Sequence, residues 1–280
     1  MFTRYVFSLA LFYFATSAAS PADTRLQRSQ VLALHLSRSV TVRYEVKDGT
    51  VEIRGDTTDI SMYDSNGNCH EEWWSFRITK RHVFTHVYEY DGANNLIREV
   101  GYDESGAMSS ESRLTFDSAN NMREEHDYES DGTAREQKYY VWDSARKCSS
   151  IVRCAANGDT LQLTAFWYDA MGRDVKQIDS FCYMKEDPYS TMTERYYDHN
   201  SKLAMEQHYG RDGLVRVRDV YDYDMEGCNT RHMGLQHFEN EMLISMDESK
   251  YDQNHLITEK AYYDGGNKQN AIEKFFYEYR

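Results

Sequence analysis

From about residue 88 onward an aromatic residue followed by an acid recurs, with glycine or asparagine three residues past the acid. The clearest copies are Tyr90-Asp91 with Asn94, Tyr102-Asp103 with Gly106, Phe116-Asp117 with Asn120 and Tyr128-Glu129 with Gly132. Tyr168-Asp169 with Gly172, Tyr223-Asp224 with Gly227 and Tyr263-Asp264 with Asn267 continue the series, and Cys154 with Gly158 fills one aromatic slot. The spacing is stricter than the residues. Slots at 90, 102, 116, 128, 142, 154 and 168 alternate steps of 12 and 14, so a pair of units repeats every 26 residues. A unit that short holds one strand and one turn, and it has no room for a useful helix. The rhythm loosens after Tyr168, and Pro188 falls in one of the loosened connections.

The chemistry of one unit explains its residues. Asp-x-x-Gly suits a type I turn, with a carboxylate to receive backbone N–H groups and a last residue that tolerates positive φ. Asparagine replaces glycine there because it also enters the left-handed region. Between turns the chain alternates. Leu161, Leu163, Ala165 and Trp167 share one face with Gln162 and Thr164 opposite, while Leu203, Met205 and Tyr209 alternate with Glu206 and His208. Even unit lengths keep the aromatic slot on one face, which predicts cross-strand aromatic ladders. The expected fold is all-β: a tandem antiparallel β-meander of about 14 short strands forming an extended, twisted or curling sheet.

These residues resemble the YD repeat of RHS-type repeat proteins, whose core reads Tyr-Asp-x-x-Gly-Arg/Asn-Leu. Tyr168-Asp169-Ala170-Met171-Gly172-Arg173-Asp174-Val175 is the nearest copy, followed by Tyr90-Asp91-Gly92-Ala93-Asn94-Asn95-Leu96. The likeness spans residues 88–280. It implies an extended, curling β-sheet on an exported or surface protein, in a chain too short to close a toxin-enclosing shell. The alternating period and the copies that lack Arg-Leu depart from that family. A weaker resemblance is to aromatic-glycine MORN-like hairpin repeats.

The N-terminus gives the expected address. Arg4 and the apolar stretch from Val6 to Ala15, followed by small residues to Ala22, read as a signal peptide over residues 1–22, cleaved after Ala19 or Ala22. A secreted, periplasmic or cell-surface location follows, with no transmembrane segment after cleavage. Residues 23–87 read as a capping β-region of the same sheet. In it Val40–Val46 and Thr50–Arg54 form a hairpin around Lys47-Asp48-Gly49, and Tyr63-Asp64-Ser65-Asn66-Gly67 is a diverged turn. Five cysteines are an odd number for an exported chain, and their spacing shows no disulfide framework.

Composition narrows function. A net charge of −14 opposes nucleic-acid binding. His70-Glu71-Glu72-Trp73-Trp74 lacks the second histidine of a zinc-protease helix. His82 and His86 would lie about 13 Å apart along a strand, too far to share a metal. Asp64-Ser65-Asn66-Gly67-Asn68 lacks the sixth-position glycine and twelfth-position glutamate of a calcium loop. No catalytic residue, cofactor or metal site is predicted. The candidate partner-binding aromatics are Trp73, Trp74, Phe166 and Trp167, where adjacent residues point to opposite faces of a strand. The expected role is a non-enzymatic scaffold or binding surface for a protein or glycan partner at the cell envelope. The alternative is a secreted, glycan-directed hydrolase with an unrecognised carboxylate site.

Overall fold

A computed structural model describes residues 26–51, 55–76, 82–182, 189–237 and 241–279. The signal-peptide reading (residues 1–22) and Pro188 lie outside the described residues. A one-and-a-half-turn helix α1 (Arg28–Ala33) precedes 19 strands. These begin with β1 (Leu36–Lys47), β2 (Thr50–Val51), β3 (Asp56–Tyr63), β4 (Cys69–Phe76) and β5 (His82–Tyr90). Next come β6 (Leu96–Tyr102), β7 (Met108–Phe116), β8 (Met122–Glu129), β9 (Ala134–Trp142) and β10 (Cys148–Ala155). Then follow β11 (Thr160–Tyr168), β12 (Asp174–Phe181), β13 (Tyr189–Tyr197), β14 (Leu203–Tyr209) and β15 (Val215–Tyr223). The last are β16 (Asn229–His237), β17 (Glu241–Tyr251), β18 (Ile257–Asp264) and β19 (Gln269–Tyr279).

Each strand from β3 to β19 pairs antiparallel with the next, and β1 then closes the ring by pairing with both β19 and β3. The result is a closed antiparallel barrel of 18 strands, with β2 a short appendage on the end of β1. This corrects the expectation of an extended, twisted or curling meander of about 14 strands, and with it the resemblance to YD/RHS-type repeat proteins, which ends at the strand-and-turn unit. Closure removes the two free edges an open sheet would leave for pairing with other chains. β1, β3 and β4, which fall within residues 23–87, are strands of the wall.

The turns behave as their residues dictate. In the turn after β11, Asp169 Oδ1 accepts the N–H groups of Met171 and Arg173, both at 2.9 Å, while Gly172 N–H donates to Asp169 O at 2.9 Å. Gly172 sits at φ +84°, a conformation glycine adopts without strain. A bulge follows, so Tyr168 opposes Asp174 one residue out of step. The same geometry holds at the Asp64 turn, whose carboxylate receives the N–H groups of Asn66 and Asn68.

The barrel is lined, not filled. Among the described residues, buried apolar side chains gather in small clusters, one of Val31, Leu36 and Leu256 where α1 meets the rim, another of Val46, Ala261 and Ile272. A ring of this strand number encloses a bore too wide for side chains to fill. Alternation along each strand therefore separates a concave inner wall from a convex outer wall. Curvature crowds side chains on the first and spreads them on the second. Ser112, Glu125, Asp127, Lys138, Gln162 and Thr164 are cross-strand neighbours on the crowded face and all are buried. Their sequence neighbours Tyr139 and Leu163 point the other way and are exposed. The expected alternation is real, but the polar residues are inside.

Candidate functional site

The inner wall of β12–β18 carries a continuous chain of charged and polar groups. It begins at Arg195, which reaches Asp174 Oδ2 and Glu206 Oε1, both at 2.7 Å, from adjacent strands. Tyr221 donates to the other oxygen of Glu206 at 2.8 Å. His208, two residues beyond Glu206 and so on the same face, places Nε2 2.9 Å from Asp219 Oδ2. Asp219 Oδ1 lies 3.0 Å from His232 Nε2, and His232 Nδ1 lies 3.0 Å from Asp247 Oδ2. Lys260 ends the chain, 3.1 Å from Asp247 Oδ1. The Tyr221 ring stacks on His232 with centroids 4.9 Å apart.

These positions follow from register. Glu206 opposes Asp219 across β14 and β15, Tyr221 opposes His232 across β15 and β16, and His232 opposes Asp247 across β16 and β17. Burial alone would pull the His232 imidazole down, but hydrogen bonds to Asp219 and Asp247 outweigh it and hold the ring up at about 9. Burial pushes Asp219 up, yet hydrogen bonds from His208 and His232 hold it at about 2. His232 is thus a cation between two carboxylates at neutral pH.

Further round the wall the same logic repeats. Lys138 Nζ lies 2.6 Å from Glu125 Oε1, and Tyr140 donates to Glu125 Oε2 at 2.8 Å. Burial, then the Glu125 carboxylate, push the Tyr140 phenol well above its ordinary value. Thr164 donates to Asp179 at 2.6 Å and Ser112 to Asp127 at 2.6 Å. Buried charges are tolerated here because each is paired and hydrogen-bonded. Acids outnumber bases along the wall.

The four candidate aromatics divide as strand parity requires and do not form one patch. Trp74 faces inward, with ring centroids 5.4 Å from Phe84 and 5.3 Å from His86. Trp73 opposes Ile60 on the outer wall. Phe166 is half-buried on the inner wall opposite Gln177, whereas Trp167 is 44% exposed on the outer wall, with Lys176 Nζ 5.8 Å from its ring. β4 and β11 lie seven strands apart around the ring, so Trp73 and Trp167 cannot meet one partner residue together. All five cysteines are free thiols. The alternation puts Glu206 and His208 on one face, but Asp219 and His232 join them only through the register of two successive hairpins, which no local pattern reveals.

The outer wall is banded. Tyr196, Met205, Val220, Met233, Met246 and Tyr263 form an unbroken apolar row across β13–β18. One row to one side stand Glu194, Gln207 and Arg218, and one row to the other stand Asp222, Arg231 and Glu248. Same-face residues are about 7 Å apart along a strand, so on β15 the apolar belt is about 14 Å from Arg218 to Asp222, while on β16 and β17 the first flanking row continues as Leu235 and Leu243. A lipid-facing belt is about 25 Å tall. Glu111, Arg98 and Arg113 similarly form an ion-paired cluster near mid-strand on β6 and β7. Among the described residues no helix is long and apolar enough to cross a membrane, a fact that does not bear on crossing by strands.

No protein-family profile matches the sequence, and no curated protein matches it. Among solved structures, a porin-like protein from Bacteroides uniformis aligns over 87% of this chain and 98% of its own, with 10% identity and a TM-score of 0.47. A porin-like protein from Bacteroides vulgatus aligns over 86% and 98%, with 11% identity and a TM-score of 0.34. The Photorhabdus luminescens Tc holotoxin pore aligns over 81% of this chain but 18% of its own, with 8% identity and a TM-score of 0.19.

Proposed function

We propose that this chain is an exported, non-enzymatic barrel of the cell envelope, displayed as a surface or periplasmic chamber. Its acidic inner wall holds polar or cationic solutes, and its outer wall serves as a scaffold for a protein or glycan partner. The observation that carries this reading is the wall from Arg195 to Lys260, a lining of paired charges where a compact domain would have an apolar core. Clefts lined by one excess of charge concentrate counter-ions. The banded outer wall favours an aqueous or peripheral setting over hydrocarbon, since charges at mid-height on a lipid face cost about 2–4 kcal/mol each. Exposed Trp167 offers a flat ring to a partner without disturbing the lining. The hydrolase alternative finds less support. Glu206 and Asp219 stand side by side on one wall, engaged by Arg195, Tyr221, His208 and His232, and do not face each other across a cleft.

Envelope fractionation of an expressing cell tests the reading. The folded protein should be released from the envelope without detergent and stay monodisperse in buffer. Release by detergent alone, with aggregation on its removal, would establish a lipid-embedded barrel instead.

A further inference from the structure

We infer that Glu206, His208 and Asp219 form a binding site for one divalent transition-metal ion on the inner wall. Each offers one ligand atom, and the three atoms lie within 4.8 Å of one another. An ion with bonds of about 2.1 Å wants ligands about 3.4 Å apart, so side-chain rotations of about 1 Å would close the set. One imidazole with two carboxylates suits zinc, cobalt or nickel better than magnesium or calcium, which take all-oxygen shells. Three protein ligands leave coordination positions open toward the bore.

The surroundings are built to orient these atoms. Thr193 Oγ1 lies 3.2 Å from His208 Nδ1, which leaves Nε2 turned toward Asp219. Tyr221 and Arg195 fix the Glu206 carboxylate from two sides, and His232 fixes Asp219. Such outer contacts are the usual support of a metal ligand. Without metal His208 pairs with Asp219 while Glu206 is held by Arg195 and Tyr221, so binding exchanges one set of partners for another and needs no refolding. The site goes beyond the chamber reading and stands whether or not the barrel holds a soluble cargo. A competing donor set exists at the rim, where Cys228 Sγ is 3.4 Å from His255 Nδ1 and His255 is 3.5 Å from Glu226.

Titrating the untagged, exported chain with zinc against a chromogenic chelator, and with cobalt by absorption, decides the matter. One equivalent should bind. His208→Gln and Asp219→Asn should weaken binding at least tenfold, Thr193→Val by roughly tenfold, and Cys228→Ser should leave it unchanged. The cobalt spectrum of the unmutated chain should lack a thiolate charge-transfer band, a readout that holds even if His208→Gln unfolds. No stoichiometric binding, unaltered binding in folded His208→Gln, or a thiolate band would each overturn the site.

Discussion

The phenol of Tyr168, at the end of β11, donates a 2.8 Å hydrogen bond to the carbonyl of Cys148, at the start of β10. The relationship recurs around that rim. Tyr197 reaches Asp174 O, Tyr223 reaches Leu203 O and Tyr251 reaches Asn229 O, each at 2.8 Å, and Tyr277 reaches Ile257 O at 2.7 Å. Trp142 does the same through Nε1 to Met122 O at 2.6 Å. The slot is aromatic because a long, flat side chain spans to the neighbouring strand, and it is mostly tyrosine because the tip must donate. The rings meet carbonyls in place of the expected aromatic ladders.

Tyr168→Phe keeps the ring and removes that donor. The change should cost about 1 kcal/mol, the usual net value of a hydrogen bond plus an orphaned carbonyl. Tyr139→Phe, whose exposed hydroxyl meets only Gln137 two residues away, should cost less. Denaturant midpoints at equal m-values measure both.

Positive φ separates two substitutions at the same turn position. Gly158 sits at φ +87° with open space where a Cβ would go, so Gly158→Ala should destabilise by about 1 kcal/mol through conformation alone. Arg146 occupies the equivalent position at φ +60°, and Arg146→Gly should stabilise, by less than about 1 kcal/mol after the added unfolded-state entropy. Opposite shifts in melting temperature check the assignment.

Acid should loosen the β6–β7 outer wall. Hydrogen bonds from Arg113 and then Arg98 hold the Glu111 carboxylate down at about 2. A depressed carboxylate contributes stability that is fully present above its unfolded value of about 4.3 and is lost as pH falls toward the folded one. The wild-type chain should therefore lose stability between about pH 4.3 and pH 2, and Glu111→Gln should flatten that part of the profile. Equal slopes in both proteins would disprove the clamp.

The two tryptophan environments should separate under mutation. Trp74→Ala removes an inward ring packed on Phe84 and His86 and should cost about 3 kcal/mol. Trp167→Ala, on the open outer wall, should change stability by less than about 1 kcal/mol while reducing capture of an envelope partner. A Trp167→Ala protein that unfolds readily would return that ring to a structural role.

What could be read from the chain was local. The 12-and-14 rhythm yields strands and turns because Asp-x-x-Gly and the slot act within one hairpin. Closure could not be read, because it joins Val40 to Phe276, partners set by curvature accumulated over every intervening strand. The polarity of the bore was hidden for a related reason. Alternation separates Gln162 and Thr164 from Leu163 without saying which set is inside, and a hollow ring reverses the usual answer. Glu206 and His208 were visible as a pair on one face. Asp219 and His232 needed the register.

Closure is the central claim, and a seam cross-link tests it most directly. Val40 and Phe276 face each other on the first and last strands, on the outer wall, at the separation of paired strand neighbours and within disulfide reach of about 7 Å. The Val40→Cys, Phe276→Cys chain, with its native cysteines replaced by serine, should form one intramolecular disulfide in high yield, seen as a single cross-linked peptide by mass spectrometry. Free thiols at both positions in the folded monomer, or cross-links only between molecules, would mean an open sheet.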